Sequence, residues 1–273
     1  DKDRDSKELN SMALPSGVND FALTGKRALV IGAEHPLGRV AALTLAEAGA
    51  KLFLASQEPQ GEEALCETAE ALAVARQGNV SCQVQSAAVR AELGATVDQA
   101  VDKLGGLDIL VTALDRPFYA AFEATDDSAF ERVIADNFKS VWMSCQEVGR
   151  VMLPRGGGAI VNISNVLAER GVPNATLYCA AKGAVRNLVR ALALEWARRG
   201  IRVNQIECGW LEVAGRAETQ ADEFSEKLVK YLPYRRLMKP EEIAGALLYL
   251  ASPAAGFVTG ETIAVDGGLL CRV

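Results

Sequence analysis

Tyr178 and Lys182 stand four residues apart in Tyr178-Cys179-Ala180-Ala181-Lys182, a spacing that sets a phenol and an ammonium on one face of a helix. A free phenol, with a pKa near ~10, exchanges protons poorly at neutral pH. A neighbouring cation stabilises the phenolate and makes it a proton-transfer group. The same spacing also suits two ordinary neighbours on a half-buried helix, so the surroundings decide. A second candidate is Gly32-Ala33-Glu34-His35-Pro36-Leu37-Gly38, which joins an apolar run to a helical pattern over Arg39 to Ala48. A strand–turn–helix junction aims backbone N–H groups and a helix N-terminus at a phosphate. Pro36 removes one of those N–H groups and fixes φ, so the donor set of this turn is altered.

Short β-branched runs alternate with longer amphipathic segments, the pattern of βαβ units around a parallel sheet. The predicted strands are Arg27–Gly32, Lys51–Ala55, Val80–Val84, Asp108–Thr112, Ala159–Ser164, Arg202–Ile206 and Thr262–Val265. The chain of 273 residues, 49% of them hydrophobic, supplies a large core. No repeat or linker divides it, so residues 21–273 read as one domain and the polar residues 1–20 as a flexible tail. A net charge of −6 without a basic run argues against nucleic acid or an anionic membrane as partner. The lack of a long apolar stretch and the charged start point to a cytoplasmic protein. Cys66, Cys82, Cys145, Cys179, Cys208 and Cys271 lack CxxC spacing and lie mostly in apolar runs, and His35 is the only histidine. That composition predicts buried free thiols, with no disulfide framework and no metal site.

Taken together, the Gly32…Gly38 turn, Asn137, the strand Gly158–Ser164, Tyr178…Lys182 and the ending Val258-Thr259-Gly260-Glu261-Thr262-Ile263-Ala264-Val265-Asp266-Gly267-Gly268 resemble a short-chain dehydrogenase/reductase. Leu23-Thr24-Gly25-Lys26 and Pro240-Glu241-Glu242-Ile243-Ala244 add to that likeness. The resemblance implies a doubly wound, seven-stranded, Rossmann-like parallel sheet of order 3-2-1-4-5-6-7. It also implies a nicotinamide dinucleotide along the carboxyl edge and hydride transfer to or from a carbonyl or alcohol. Tyr178 inherits the role of acid/base. Lys182 inherits those of lowering the phenol pKa and holding the nicotinamide ribose, and Asn137 that of fixing a water through a bend in its helix. The cofactor-binding positions implied are Gly32, His35, Leu37, Gly38, Ser56, Ala88, Val89, Thr112, Gly209 and Leu211, with Tyr178 and Lys182.

Several positions depart from the family pattern. Asn165 stands where a Ser donates a hydrogen bond to the substrate oxygen, and an Asn amide can donate one from a longer arm. Ser164, its neighbour, points to the opposite face of the strand. Thr112-Ala113-Leu114-Asp115 replaces Asn-Asn-Ala-Gly, Cys208-Gly209 replaces Pro-Gly, and Val213 replaces a cofactor-contacting Thr. The second strand ends Ala55-Ser56-Gln57 without the acid that chelates the NAD ribose, which favours NADP over NAD. His35 reads as an exposed turn residue rather than a phosphate ligand. Val166 to Asn174, Trp210, Asp115 to Phe118 and a segment from Glu212 to Leu232 should bound a mostly apolar pocket for a small-molecule carbonyl or alcohol. Glu169, Arg170, Asp115 and Arg116 read as rim residues or polar anchors. The resemblance also implies a homotetramer or homodimer built on two helices, about Asp127–Leu153 and Ala175–Arg199, with Ala191–Leu194 and Trp196 at the contact. Pro36, Asn165 and Cys208 keep a second reading open, a redox-inactive relative that binds a ligand or partner or moves protons without hydride.

Overall fold

A computed structural model of the chain describes residues 20–57, 63, 65–70, 80–83, 89–212 and 229–271. Its seven strands form one parallel sheet in the order β3-β2-β1-β4-β5-β6-β7. They are β1 Arg27–Ile31, β2 Lys51–Ala55, β3 Val80–Gln83, β4 Ile109–Thr112, β5 Gly158–Asn165, β6 Ile201–Cys208 and β7 Thr262–Val265. The inner strands are buried along nearly their whole length. That burial explains their continuous apolar runs, because helices cover both faces of a parallel sheet.

One face carries α1 (Pro36–Glu47) and α6 (Ala244–Ala251), packed through Val40, Ala41, Leu45, Leu247 and Leu250 onto Val30, Val111 and Val161. The other face carries α2 (Arg90–Leu104), α4 (Ser140–Met152) and α5 (Thr176–Trp196), whose Val97, Val148, Val185 and Val189 meet Leu29, Leu110 and Ile160. A further helix, α3 (Asp127–Ile134), runs into α4 through a π-helical turn, Ala135–Lys139. At the amino edge Arg27 grips Asp108 by two side-chain bonds, Nε to Oδ2 at 2.7 Å and Nη2 to Oδ1 at 2.6 Å. This fork ties the start of β1 to the residue before β4.

The expected strands are present within a few residues. Two expectations change. The first helix begins at Pro36 rather than Arg39, because proline fits the first turn, where its missing N–H has no intrahelical role. Cys66 and Cys271 are exposed, while Cys145 and Cys208 are buried. Burial in apolar surroundings pushes the Cys145 thiol up to about 12. The predicted tail up to Asn19 and most of the predicted segment beside the pocket, residues 213–228, lie outside the described residues.

Candidate active site

Helix α5 buries Tyr178, Ala181, Lys182, Val185, Val189 and Ala193, a stripe at helical spacing that must face the sheet. Tyr178 and Lys182 belong to that stripe, so the packing that holds the helix down also takes both polar tips out of water. Each is 1% exposed. An ammonium so placed needs acceptors, and the loop after β4 brings them. Lys182 Nζ donates to the Leu114 carbonyl at 2.9 Å and lies 2.7 Å from Asp115 Oδ1. The same Oδ1 accepts the Tyr178 hydroxyl. One carboxylate oxygen thus joins the phenol to the ammonium.

Burial opposes the charge of Asp115, but Lys182 and the Tyr178 hydroxyl outweigh it and hold the carboxyl below its ordinary range. Tyr178 moves the other way. Burial first, then the charge and hydrogen bond of Asp115, push the phenol well above its usual value. In this arrangement the phenol is a protonated donor. His35 is half-buried rather than an exposed turn residue. It caps α1, its Nδ1 accepting the Leu37 N–H at 3.3 Å, and burial lowers its pKa.

Asn137 sits in the π-turn and is fully buried. Its Oδ1 accepts the Arg116 N–H at 3.0 Å, and its Nδ2 donates to the Arg116 carbonyl at 3.0 Å and to the Val133 carbonyl at 3.1 Å. The amide is a two-sided clamp on the peptide groups next to Asp115. At the carboxyl ends of β1 and β4 the turn stays tight. Gly32 has φ +85, and a Cβ there would lie 2.4 Å from the Ala113 carbonyl oxygen. A Cβ on Gly38 would lie 2.0 Å from the Gly32 carbonyl oxygen. Only glycine lets the helix approach the strand so closely.

In a doubly wound sheet the general binding edge lies at the carboxyl ends of the strands where the order reverses, here β1 and β4 with the Gly32–Gly38 turn. A family model described as enoyl-(acyl carrier protein) reductase matches residues 32–270. Galactitol 2-dehydrogenase (L-tagatose-forming) of Cereibacter sphaeroides is 37% identical over 259 residues, covering 91% of this chain and 96% of that protein. D-threitol dehydrogenase of Mycolicibacterium smegmatis is 33% identical over 249 residues, covering 91% and 94%. The crystal structure of a gluconate 5-dehydrogenase from Burkholderia cenocepacia, in complex with NADP and tartrate, superposes with a TM-score of 0.85. It is 33% identical and covers 93% of this chain and 99% of that one. The chain belongs to the short-chain dehydrogenase/reductase family.

In this short-chain dehydrogenase/reductase the turn expected to face a dinucleotide has a reduced set of backbone donors. Gly32 and Gly38 let α1 pack closely onto the strand ends, while Pro36 offers no N–H and the Leu37 N–H is engaged by His35. Of the other positions implied by the family, Thr112 and Ser56 are fully buried, and Thr112 Oγ1 donates to Asn162 Oδ1 at 2.7 Å. The Gly209 N–H bonds the Val265 carbonyl, and Leu211 bridges Met238. Val89 is exposed at the start of α2, and Ala88 lies outside the described residues. Asn165 ends β5, and its Oδ1 accepts the Leu167 N–H at 3.0 Å.

Two residues in this short-chain dehydrogenase/reductase are not marked as chemistry by the sequence pattern. Asp115 reads there as a rim residue, yet its side chain is 13% exposed and central to the cluster. Glu34 lies within the Gly32–Gly38 turn without a role assigned to it, and its Oε1 accepts the Gln57 N–H at 2.7 Å. The end of β2 therefore has a carboxylate supplied from the turn after β1. The signal available for Asp115 is an acid in the place of a motif glycine, close behind the strand that faces the Tyr–Lys helix.

Apolar walls flank the cluster. Leu167, Ala175 and Tyr178 pack with Phe118 and Val172, and Val166, Leu232 and Leu269 pack with Trp210. Two of the four candidate rim or anchor residues are engaged elsewhere, Arg170 with the Leu269 carbonyl at 2.8 Å and Glu169 with Arg186. Among the described residues no helix is long and apolar enough to cross a membrane.

Proposed function

We propose that this protein is an NAD(P)-dependent oxidoreductase that interconverts a carbonyl and an alcohol on a modest-sized, largely apolar substrate. The observation that carries this reading is the buried contact of Tyr178 with the Lys182–Asp115 pair, in the loop after β4 that packs on the Gly32 turn. Gly32, Leu37 and Gly38 of the turn, with Val89, Leu211 and Lys182, would hold a nicotinamide dinucleotide, which would supply or accept the hydride. Tyr178 hands its phenol proton to the substrate oxygen in reduction, and Lys182 stabilises the phenolate that remains. Asn165, whose Oδ1 is taken by the Leu167 N–H, would offer its NH2 to the same oxygen. Val166, Leu167, Val172 and Trp210 exclude water, and the engagement of Arg170 and Glu169 leaves a mainly apolar lining.

Glu34 argues for NAD over NADP, the reverse of what the missing β2 acid suggests. A carboxylate bonded to the Gln57 N–H suits ribose hydroxyls and repels a 2′-phosphate. The faces of α3, α4 and α5 support a homotetramer, since Phe130, Trp142 and Leu194 are exposed at 49%, 46% and 83%. Ala193 and Trp196 turn inward instead, Trp196 lying over Gly149. A second reading, proton transfer or ligand binding without redox chemistry, draws on Asp115 at Lys182 and on the engaged donors of the turn. Titration of the purified protein with NADH and NADPH separates the two. Micromolar binding, tighter for NADH and with the gap narrowed by Glu34→Gln, is the expected result. Absence of binding at millimolar concentration retires the redox reading.

A further inference from the structure

Asp115 raises a question that the family pattern does not answer. The motif after β4 ends in glycine in the family, which leaves the ammonium of the helix Lys open, whereas here position 115 carries a carboxylate with one oxygen on both Lys182 Nζ and the Tyr178 hydroxyl. We propose that Asp115 is an internal occupant of the Tyr178–Lys182 pair, holding the place at Lys182 that a cofactor ribose takes, so that a dinucleotide docks fully only by displacing it. This inference rests on the oxidoreductase reading and adds a residue that sets the threshold for cofactor entry.

The surroundings make this carboxylate a committed occupant. Lys182 is buried, and its Nζ is already turned toward the β4 loop by the Leu114 carbonyl. Asn137 grips the peptide groups on both sides of Arg116, which fixes the backbone that follows Asp115. The loop has little freedom to carry the carboxylate away, so release falls to rotation of the Asp115 side chain itself. A carboxylate that accepts from a phenol and an ammonium in a dry site offers the two bond types a ribose diol would offer, plus a full charge. An incoming ribose therefore replaces a stronger internal partner, and only the fraction of molecules with Asp115 displaced is competent to bind.

Displacement has a chemical consequence for Tyr178. While Asp115 is in place the phenol donates to it and faces a negative charge, and Lys182 is neutralised by the same group. Once the carboxylate leaves, the phenol is free to donate to substrate and Lys182 is free to stabilise its conjugate base. The acid/base pair becomes competent when the cofactor site fills.

The test compares wild type, Asp115→Gly and Asp115→Asn by calorimetric titration with NADH and NADPH. The glycine variant restores the bare backbone, and the asparagine variant keeps the shape without the charge. Asp115→Gly is expected to bind about 10- to 100-fold more tightly, and Asp115→Asn to gain by a smaller factor. A second readout needs no cofactor. Ionisation of Tyr178, followed by phenolate absorbance against the matching Tyr178→Phe protein, is expected at lower pH in Asp115→Asn; Lys182, His35 and Cys208, the other ionisable groups that feel Asp115, keep their identity in that variant. Should the glycine variant fail to fold by circular dichroism, the asparagine variant decides the matter on both readouts. Equal affinities in wild type and variants, all micromolar, would overturn the inference and leave the oxidoreductase reading standing. Absence of binding by any of them at millimolar concentration would overturn both.

Discussion

Replacing Asn137 by Ala should destabilise the fold, and the size of the loss tests what this residue does. The side chain is fully buried and makes three hydrogen bonds, two with the peptide groups of Arg116 and one with the Val133 carbonyl. At about 1 kcal/mol net for each, their removal costs about 3 kcal/mol. Two features bracket that figure. Arg116 is half-buried, so water can replace part of its loss. The Val133 carbonyl lies just ahead of the π-turn, where its freed acceptor has less access to water. Urea unfolding of wild type and Asn137→Ala followed by circular dichroism reads the difference from the transition midpoints, at unchanged slope. If Asn137 served only to hold a water in a proton path, the substitution would lower turnover and leave the midpoint in place. A loss below about 0.5 kcal/mol, the size of an ordinary surface change, would refute the clamp.

Tyr178→Phe should lower turnover by about 10²- to 10⁴-fold, the usual worth of a positioned proton donor. The melting temperature and dinucleotide affinity should be retained, and turnover within tenfold of wild type would remove Tyr178 from the mechanism. Glu207 is buried at 0% exposure, and burial raises its pKa against the lowering effects of Arg186 and the Gln205 hydrogen bond. Between the ordinary glutamate value and the raised one, the folded state binds the proton more tightly, so stability falls as pH rises through that interval. Glu207→Gln should flatten the decline in melting temperature on the alkaline side of pH 4.5, and an identical slope in both proteins would sink the idea.

The strands and the Tyr–Lys helix were legible because their signals are local. Alternation of β-branched runs with amphipathic segments follows from the need of a parallel sheet for crossovers and for cover on both faces. A four-residue spacing also settles which side chains share a helix face, whatever the fold. Asn137 stood out in the sequence as a candidate, but its bonds to Arg116 were not legible, because that contact joins the π-turn to a loop 21 positions earlier. The cap that His35 places on Leu37 depends on a rotamer rather than a pattern. The sequence left Arg170 and Glu169 as rim residues or polar anchors, because their partners, Leu269 and Arg186, lie 99 and 17 positions away.

Asp115 and Glu34 mark the division most clearly. Sequence alone determined the order of elements, the parallel sheet and the presence of a phenol–ammonium pair, since each follows from periodicity or from separations of a few residues. Only the tertiary structure decided that a carboxylate 63 positions before Tyr178 sits on that pair, and that a carboxylate 23 positions before Gln57 reaches the end of β2. The physical reason is that a charge acts over a few ångströms of space. Side chains remote along the chain come within that range only when β1, β2, β4 and α5 are packed together, and their electrostatic character is fixed by that packing and by the water it removes.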